Sequence, residues 1–344
     1  MLESGRSLVV ALAGALLAVW LHVPLPWFVG ALAGVALYSL SGHRLAAPAF
    51  ARDGGQWIIG VALGLYFTPA VVRQIVDLAP WVLLNTLFFV VLGLAGAWCL
   101  RRMTGESGTT TFFAAAIGGA SEMATQAELY GARVDRVAAA HSLRILMVAV
   151  IVPFAMQFSG VHGADPYQPV AVRFDWTGLA ALAAVTGGGA LVLQRLKLPN
   201  AWMIGPLLVA AVLTANGQSL SNVPTALLNA GQLFIGVALG VRFTAEFFRA
   251  APRYLAAVAV MTVGYLAVSA LFGLWLGRMA GLPVATTVLE ATPGGVGEMA
   301  LTATLLQLGA PIVTAFHCLR LLLLVLGIGV LYRLFARTAK RRAD

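Results

Sequence analysis

The chain has 344 residues, 60% hydrophobic and 10% charged, with a formal charge of +9 and a mean hydropathy of +0.90. A soluble domain carries about 25% charged residues, so this composition excludes a soluble globular class and leaves a polytopic membrane protein. In a soluble protein the positive charge would suggest nucleic acid. Here much of it sits in short loops and a terminal run (Arg333, Arg337, Lys340, Arg341 and Arg342), which reads as cytoplasmic, with anionic lipid headgroups as its partner.

Apolar segments run in order over about 6–21, 25–41, 55–70, 79–100, 109–130 and 137–158. A polar connector over 159–176 follows, holding His162, Asp165, Pro166, Pro169, Arg173 and Asp175. A second set runs over about 178–194, 200–216, 228–245, 254–277, 284–307 and 311–334. Several fall short of the ~20 residues of a full span, which predicts tilted, broken or re-entrant segments. The organisation expected is a first membrane repeat over 1–158, the connector, a second membrane repeat over 177–334 and a basic tail over 335–344. The first segment, Leu8 to Trp20, has the look of a signal peptide. Its counterpart at Leu179 to Leu193 argues that it is retained.

The two sets are copies. GGASEMATQAELYGARVDRVAAAHSLR (Gly118 to Arg144) aligns without a gap to GGVGEMALTATLLQLGAPIVTAFHCLR (Gly294 to Arg320), with 12 of 27 positions identical at an offset of 176. GQWIIGVALGLYFT (Gly55 to Thr68) aligns to GQLFIGVALGVRFT (Gly231 to Thr244) at the same offset, with 10 of 14 identical. LHVPLPWFVG (Leu21 to Gly30) matches LKLPNAWMIG (Leu196 to Gly205). The fold class expected is therefore all-α, with two homologous halves of about five to six spans each. Six segments per copy would leave the halves parallel, and a re-entrant segment in each would invert them. Loop charges divide between the two: Arg101, Arg102, Arg278, Arg44 and Arg52 against Arg242, Arg249 and Arg253. Broken helices favour the inverted arrangement.

The chemistry lies in the repeated polar residues. Gly118-Gly119 and Gly294-Gly295, the second pair preceded by Pro293, fall in mid-segment and predict helix breaks. A break exposes N–H groups at the positive end of the next half-helix, a natural solute or ion site. The bland alternative is close packing through glycine. Glu122 and Glu298 follow the breaks; an acid at that depth is costly and marks a proton or cation site, or a buried pair with Arg144 or Arg320. His141 with Arg144 and His317 with Arg320 are spaced i, i+3 on one helix face. Each arginine is a fixed cation for an anion, each histidine a titrating group or a packing residue. Gln56 and Gln232 repeat and are candidates to line a cavity. The G-x-A-L-G-x-x-F-T segments read first as packing surfaces and second as further interruptions, and Pro24 with Trp27 and Pro199 with Trp202 as interfacial anchors.

Two cysteines, Cys99 and Cys318, build no disulfide framework or metal site, and there is no Walker loop, Ser-His-Asp spacing or H-x-x-x-H. Neither an enzyme nor a cofactor is expected.

On the paired GQ-x-x-IG-VALG-x-x-FT and GG-x-x-EMA…H-x-LR segments the chain resembles the AbrB-like family of bacterial membrane proteins over essentially its whole length. Names in that family imply regulation of gene expression or ammonia oxidation, and no residue here carries either directly. GVALGVRFTAEFFRAAPRY followed by ATPGGVGEMALTATLLQLG is also similar to bile-acid symporter and cation/proton antiporter-like carriers, which build a site where two broken helices cross. Those carriers usually place Asn, Ser or Asp near the break, where this chain has Glu. The resemblance implies secondary transport. The expectation is an inner-membrane carrier of a small, anionic solute coupled to H⁺ or Na⁺, with the bilayer as partner, a cytoplasmic C-terminus and homo-oligomerisation left open. The alternative is a membrane sensor acting on gene expression through a partner.

Overall fold

The computed structural model describes residues 2–163, 167 and 174–340. Asp165, Pro166, Pro169 and Arg173 of the connector, Arg341 and Arg342 of the tail, and the side chains of Arg337 and Lys340 lie outside the described residues. Every regular element among the described residues is a helix. The first copy contributes α1 (Leu2–Trp20), a π turn (Pro26–Gly30) running into α2 (Ala31–Leu40), α3 (Ala51–Gly64), α4 (Pro69–Asp77), α5 (Ala79–Thr104), α6 (Gly108–Ala115), α7 (Ala120–Leu129) and α8 (Val134–Phe158). The second repeats the order as α9 (Trp176–Arg195), α10 (Ala201–Ala215), α11 (Thr225–Gly240), α12 (Ala245–Ala250), α13 (Pro252–Ala280), α14 (Val284–Glu290), α15 (Val296–Leu305) and α16 (Ala310–Lys340). Six of the described helices, α1, α5, α8, α9, α13 and α16, are long and apolar enough to cross a membrane.

The boundaries have local causes that recur in both copies. The expected segment 55–70 is not one helix: α3 and α4 bend by 94°. The Thr68 side chain accepts from the Val71 N–H and Pro69 opens α4, so a new helix starts there. Thr244 does the same for α12 by accepting from Phe247 N. The repeated F-T is thus an N-cap. Left-handed backbone also recurs at paired positions: His22 with Lys197, Leu25 with Asn200 and Gly42 with Gly217 at an offset of 175, then Gly105 with Gly281 and Gly131 with Gln307 at 176. The conformation persists even where the residue is not glycine, so the chain path itself is duplicated.

Spatial bundles do not follow the copies. One bundle packs α1, α2 and α3 with α9, α10 and α11; the other packs α5 to α8 with α13 to α16. Contacts exchange reciprocally: α2 meets α11 as α10 meets α3, and α8 meets α13 as α16 meets α5. Reciprocal contacts of this kind are what two related copies exchanging elements would give. Between the bundles, α3 and α4 pack against α15 and α16, and one buried apolar cluster joins Phe28, Leu32, Met203 and Ile235 of the first bundle to Val296, Ala300 and Leu321 of the second. The outward faces of α1 and α9 carry exposed Leu12, Leu16, Trp20, Val185, Leu191 and Val192, as a lipid-facing surface requires.

Glycine makes the crossings close. A Cβ at Gly60 would collide with the Met203 carbonyl and one at Gly64 with the Leu207 carbonyl and Ala210 Cβ. In the exchanged contact, Gly236 lies on the Phe28 carbonyl and Gly240 on the Leu32 carbonyl and Val35. The repeated G-V-A-L-G is therefore a small-xxx-small seam, the packing role read first from the sequence. Trp27 is half-buried against the cluster of Ala11, Val35 and Val237. Gly60→Ala and Gly236→Ala are each expected to cost about 1–3 kcal/mol through overpacking, read as a lower melting temperature of the detergent-purified protein. Gly264→Ala, whose Cβ meets nothing within 4 Å, should leave it unchanged or raise it, since helical Gly costs about 0.5–1 kcal/mol relative to Ala.

Candidate functional site

Both Gly-Gly pairs interrupt a helix. α6 stops at Ala115 and α7 starts at Ala120; α14 stops at Glu290 and α15 starts at Val296. Gly119 and Gly295 are extended N-caps. Each glycine has its own reason. A Cβ at Gly119 would collide with Glu122 Oε2, and one at Gly295 with Glu298 Oε2. A Cβ at Gly118 or Gly294 would run into the Met123 or Met299 side chain, and both methionines are fully buried. G-G-x-x-E-M is therefore one interlocked unit. Methionine anchors the start of the half-helix in the core, while the glutamate, at the third helical position, folds back over the break towards the positive end of the dipole.

The next helix supplies the other side of each break. His141 on α8 places Nε2 2.9 Å from the Phe113 carbonyl, and Nδ1 3.0 Å from Arg144 Nη2. His317 on α16 repeats this with Leu289 O at 2.9 Å and Arg320 Nη2 at 2.9 Å. Arginine has only donors, so Nδ1 must accept and Nε2 must carry the hydrogen. Each histidine is a neutral link that fixes its arginine against the half-helix before the break.

The arginines then differ. Arg320 donates to Thr292 O and Gly294 O, each at 2.9 Å, and its guanidinium lies 4.2 Å over the Phe89 ring. It thus satisfies carbonyls released by the second break. Arg144 is only 3% exposed, yet its Nη1 has no hydrogen-bond partner. Tyr265, the counterpart of Phe89 at the offset of 176, donates instead to Ala115 O at 3.0 Å. Neither arginine pairs with a glutamate: ion pairs among the described residues join Arg133 and Arg136 to Glu106 and Asp135. The reading of Glu122 or Glu298 as a buried partner of Arg144 or Arg320 is therefore set aside.

These groups meet at one cavity of about 130 Å³ between the two bundles. Gly118, Gly119, Gly294, Gly295, Glu122, Glu298, Arg144, Arg320, His317 and Gln56 line it. Two expected residues do not. His141 stands behind Arg144, and Gln232 lies on α11 off the cavity wall. Three others do line it: Asn200, which accepts from Gln56 at 3.4 Å, and Arg52 and Arg242. Both arginines had been counted among the loop charges. Their equivalent positions hold Leu228 and Tyr66, so a search for repeated charges passes over them. Arg52 interacts electrostatically with Glu298 and Arg242, and Arg144 with Arg320. Four arginines against two glutamates leave the wall cationic, and like charges facing one another across a low-dielectric space favour an anion between them.

Fold and cavity together define a polytopic helical membrane protein with a polar chamber where two interrupted helices meet. The chain belongs to the AbrB family: the family model described as "Transition state regulatory protein AbrB" matches residues 27–336. It is 26% identical over 329 residues to "Putative regulator AbrB" of Escherichia coli (strain K12), covering 94% of this chain and 93% of that protein. It is 24% identical over 308 residues to "Uncharacterized protein YhjN" of Bacillus subtilis (strain 168), covering 84% and 80%.

The interlock at the break has a measurable signature. Gly119→Ala should lower thermal stability in the wild-type background and much less in Glu122→Ala, with a coupling of about 0.5–3 kcal/mol. Additive losses in that double-mutant cycle would show that the carboxylate does not occupy the glycine's space.

Proposed function

We propose that the protein is a secondary carrier of the bacterial inner membrane that moves a small organic anion coupled to H⁺ or Na⁺, with its basic C-terminus in the cytoplasm. One observation carries the reading. Two guanidiniums, Arg144 and Arg320, face a shared cavity at two helix breaks, with no carboxylate of the described residues in ion-pair reach. A buried cation without a counter-charge is costly, and an anion removes that cost. The unpartnered Nη1 of Arg144 supplies a donor, and the first turns of α7 and α15 offer backbone N–H groups and the positive dipole ends. Glu122 and Glu298 line the wall beside it as candidate cation or proton positions.

The position of the cavity supports transport. Its walls come from both bundles: Arg52, Gln56 and Asn200 from one, the two breaks and their arginines from the other. A shift of one bundle against the other along their apolar contact would expose the chamber to alternate sides. The inverted relation of the halves belongs to the same reading. The E. coli relative's name would bring a regulator instead, in which the same chamber senses a ligand without flux.

Uptake of radiolabelled pyruvate, succinate and citrate into proteoliposomes tests this. Arg144→Gln removes a charge-assisted hydrogen bond of about 1.5–3 kcal/mol, so the half-saturation concentration should rise about 10- to 100-fold with the fold intact. Arg320→Gln should do the same and also destabilise the protein, because it strands the Thr292 and Gly294 carbonyls. Saturable binding of these anions with no flux would favour the regulator, and no response of binding or flux to either arginine would sink the anion site.

A further inference from the structure

Glu290 ends α14, is 0% exposed, and neither carboxylate oxygen has a hydrogen-bond partner. It does not line the cavity, and the first copy has Ala114 in its place. Two further buried polar residues near the end of α14 also lack polar counterparts. Asn85 of α5, 0% exposed, donates from Nδ2 to the Glu290 backbone carbonyl at 3.3 Å, while its Oδ1 is unpartnered. Ser269 of α13 is 0% exposed and its Oγ is unpartnered. Its position follows from the helix hairpin: Gly277 packs on Thr287 and Val284, and Gly273 on Val288. One turn further along α13 brings Ser269 level with the end of α14. The residues equivalent to Asn85 and Ser269 at the offset of 176 are Met261 and Gly93.

Counting donors and acceptors decides what this cluster holds. An ionised Glu290 offers two acceptor oxygens and Asn85 Oδ1 is a third, while the donors on these side chains are the Ser269 hydroxyl and the second Asn85 Nδ2 hydrogen, and neither is bonded to the carboxylate. One proton on Glu290 converts an acceptor into a donor, for which Asn85 Oδ1 is an unfilled acceptor. No Lys, Arg or His lies within ion-pair distance of Glu290 among the described residues. Of the charged and titratable groups on the neighbouring elements, His317, Arg320 and Tyr265 are already engaged. On α16, His317 is bonded to Leu289 O and Arg320 to Thr292 O; on α15, Glu298 folds over Gly295; on α13, Tyr265 is bonded to Ala115 O. An ionised carboxylate left bare in such surroundings costs several kcal/mol.

We propose that Glu290, Asn85 and Ser269 form a proton site buried behind the second helix break, and that its proton is the ion that travels with the cavity anion. The second clause rests on the carrier reading; the first does not. The coupling has a physical basis. Asn85 and Phe89 are one turn apart on the same face of α5; Asn85 meets Glu290, and Phe89 underlies Arg320. A negative Glu290 would repel an anion held at Arg320, whereas a neutral Glu290 would not. By linkage, anion binding then favours the proton and the proton favours the anion.

Infrared spectroscopy of the purified full-length protein at neutral pH tests the site without any substrate. A protonated-carboxyl C=O band should be present, be lost in Glu290→Gln and shift in Asn85→Ala; a band unchanged by Glu290→Gln overturns the proposal. Glutamine keeps the donor that the protonated acid would supply, so this variant should fold. In proteoliposomes loaded with pyruvate, succinate or citrate, Glu290→Gln should retain anion exchange but lose accumulation driven by a pH gradient. Wild-type-like pH-driven accumulation by the variant, or accumulation by the wild type driven by Na⁺ alone, overturns the coupling role. If the wild type moves none of these probes, the carrier reading is what fails, and the infrared result still decides the proton site.

Discussion

A carbonyl released in the middle of a membrane helix must find a donor, because hydrocarbon offers none. The structure answers that constraint from the following helix. Arg320 donates to Thr292 O and Gly294 O, and His317 joins Arg320 to Leu289 O. Once this clasp exists, the rest of the site follows. The break stays open, the start of α15 faces inward, and a guanidinium that would be prohibitive in lipid becomes part of the wall of a polar chamber. The Gly-Gly-x-x-Glu-Met unit is the complementary half of the device. It clears space for the folded-back carboxylate and fixes the half-helix through Met299.

Duplication lets a single solution be used twice and makes the chamber from both uses. Because α2 and α3 pair with α11 and α10 rather than with their own α5 to α8, neither copy is a spatial domain. Each bundle is half one copy and half the other, and the chamber lies between the bundles. The glycines that permit this exchange, Gly60 and Gly64 against α10 and Gly236 and Gly240 against α2 and its π turn, thereby position the site from a distance. Replacing any of them by a larger residue acts on packing first and on the chamber through packing.

The two halves are alike in path but not in chemistry. Arg320 has its hydrogen bonds filled by the second break, whereas Arg144 keeps a free donor and leaves Ala115 O to Tyr265. Phe89 and Tyr265 occupy equivalent positions and cross over: the first copy's ring supports the second copy's arginine, and the second copy's hydroxyl caps the first copy's helix. Glu290, Asn85 and Ser269 have no polar counterparts. A symmetric frame carrying asymmetric polar groups gives the second half a fixed arginine and a buried acid, and the first half an open donor.

Sequence alone determined that the chain is apolar, all-helical and written twice, and that the Gly-Gly pairs break helices beside Glu122 and Glu298. These features rest on composition, on local backbone preference and on identity between copies, all of which are linear properties. It also picked out the two arginines, because charges repeated inside apolar runs stand out. Only the tertiary structure showed that both breaks open on one chamber, that each histidine is a neutral brace, and that Gln232 lies off the wall. Arg52, Arg242, Asn200 and Glu290 were invisible as a group, since each has an apolar or unlike residue in the other copy. The bend at Thr68 had a local signal, a threonine before a proline, that a hydropathy reading of 55–70 runs straight through. Proximity across the bundles arises from helix crossings set by glycine contacts far from the site in sequence, and no periodicity within a segment encodes which distant segment will face it.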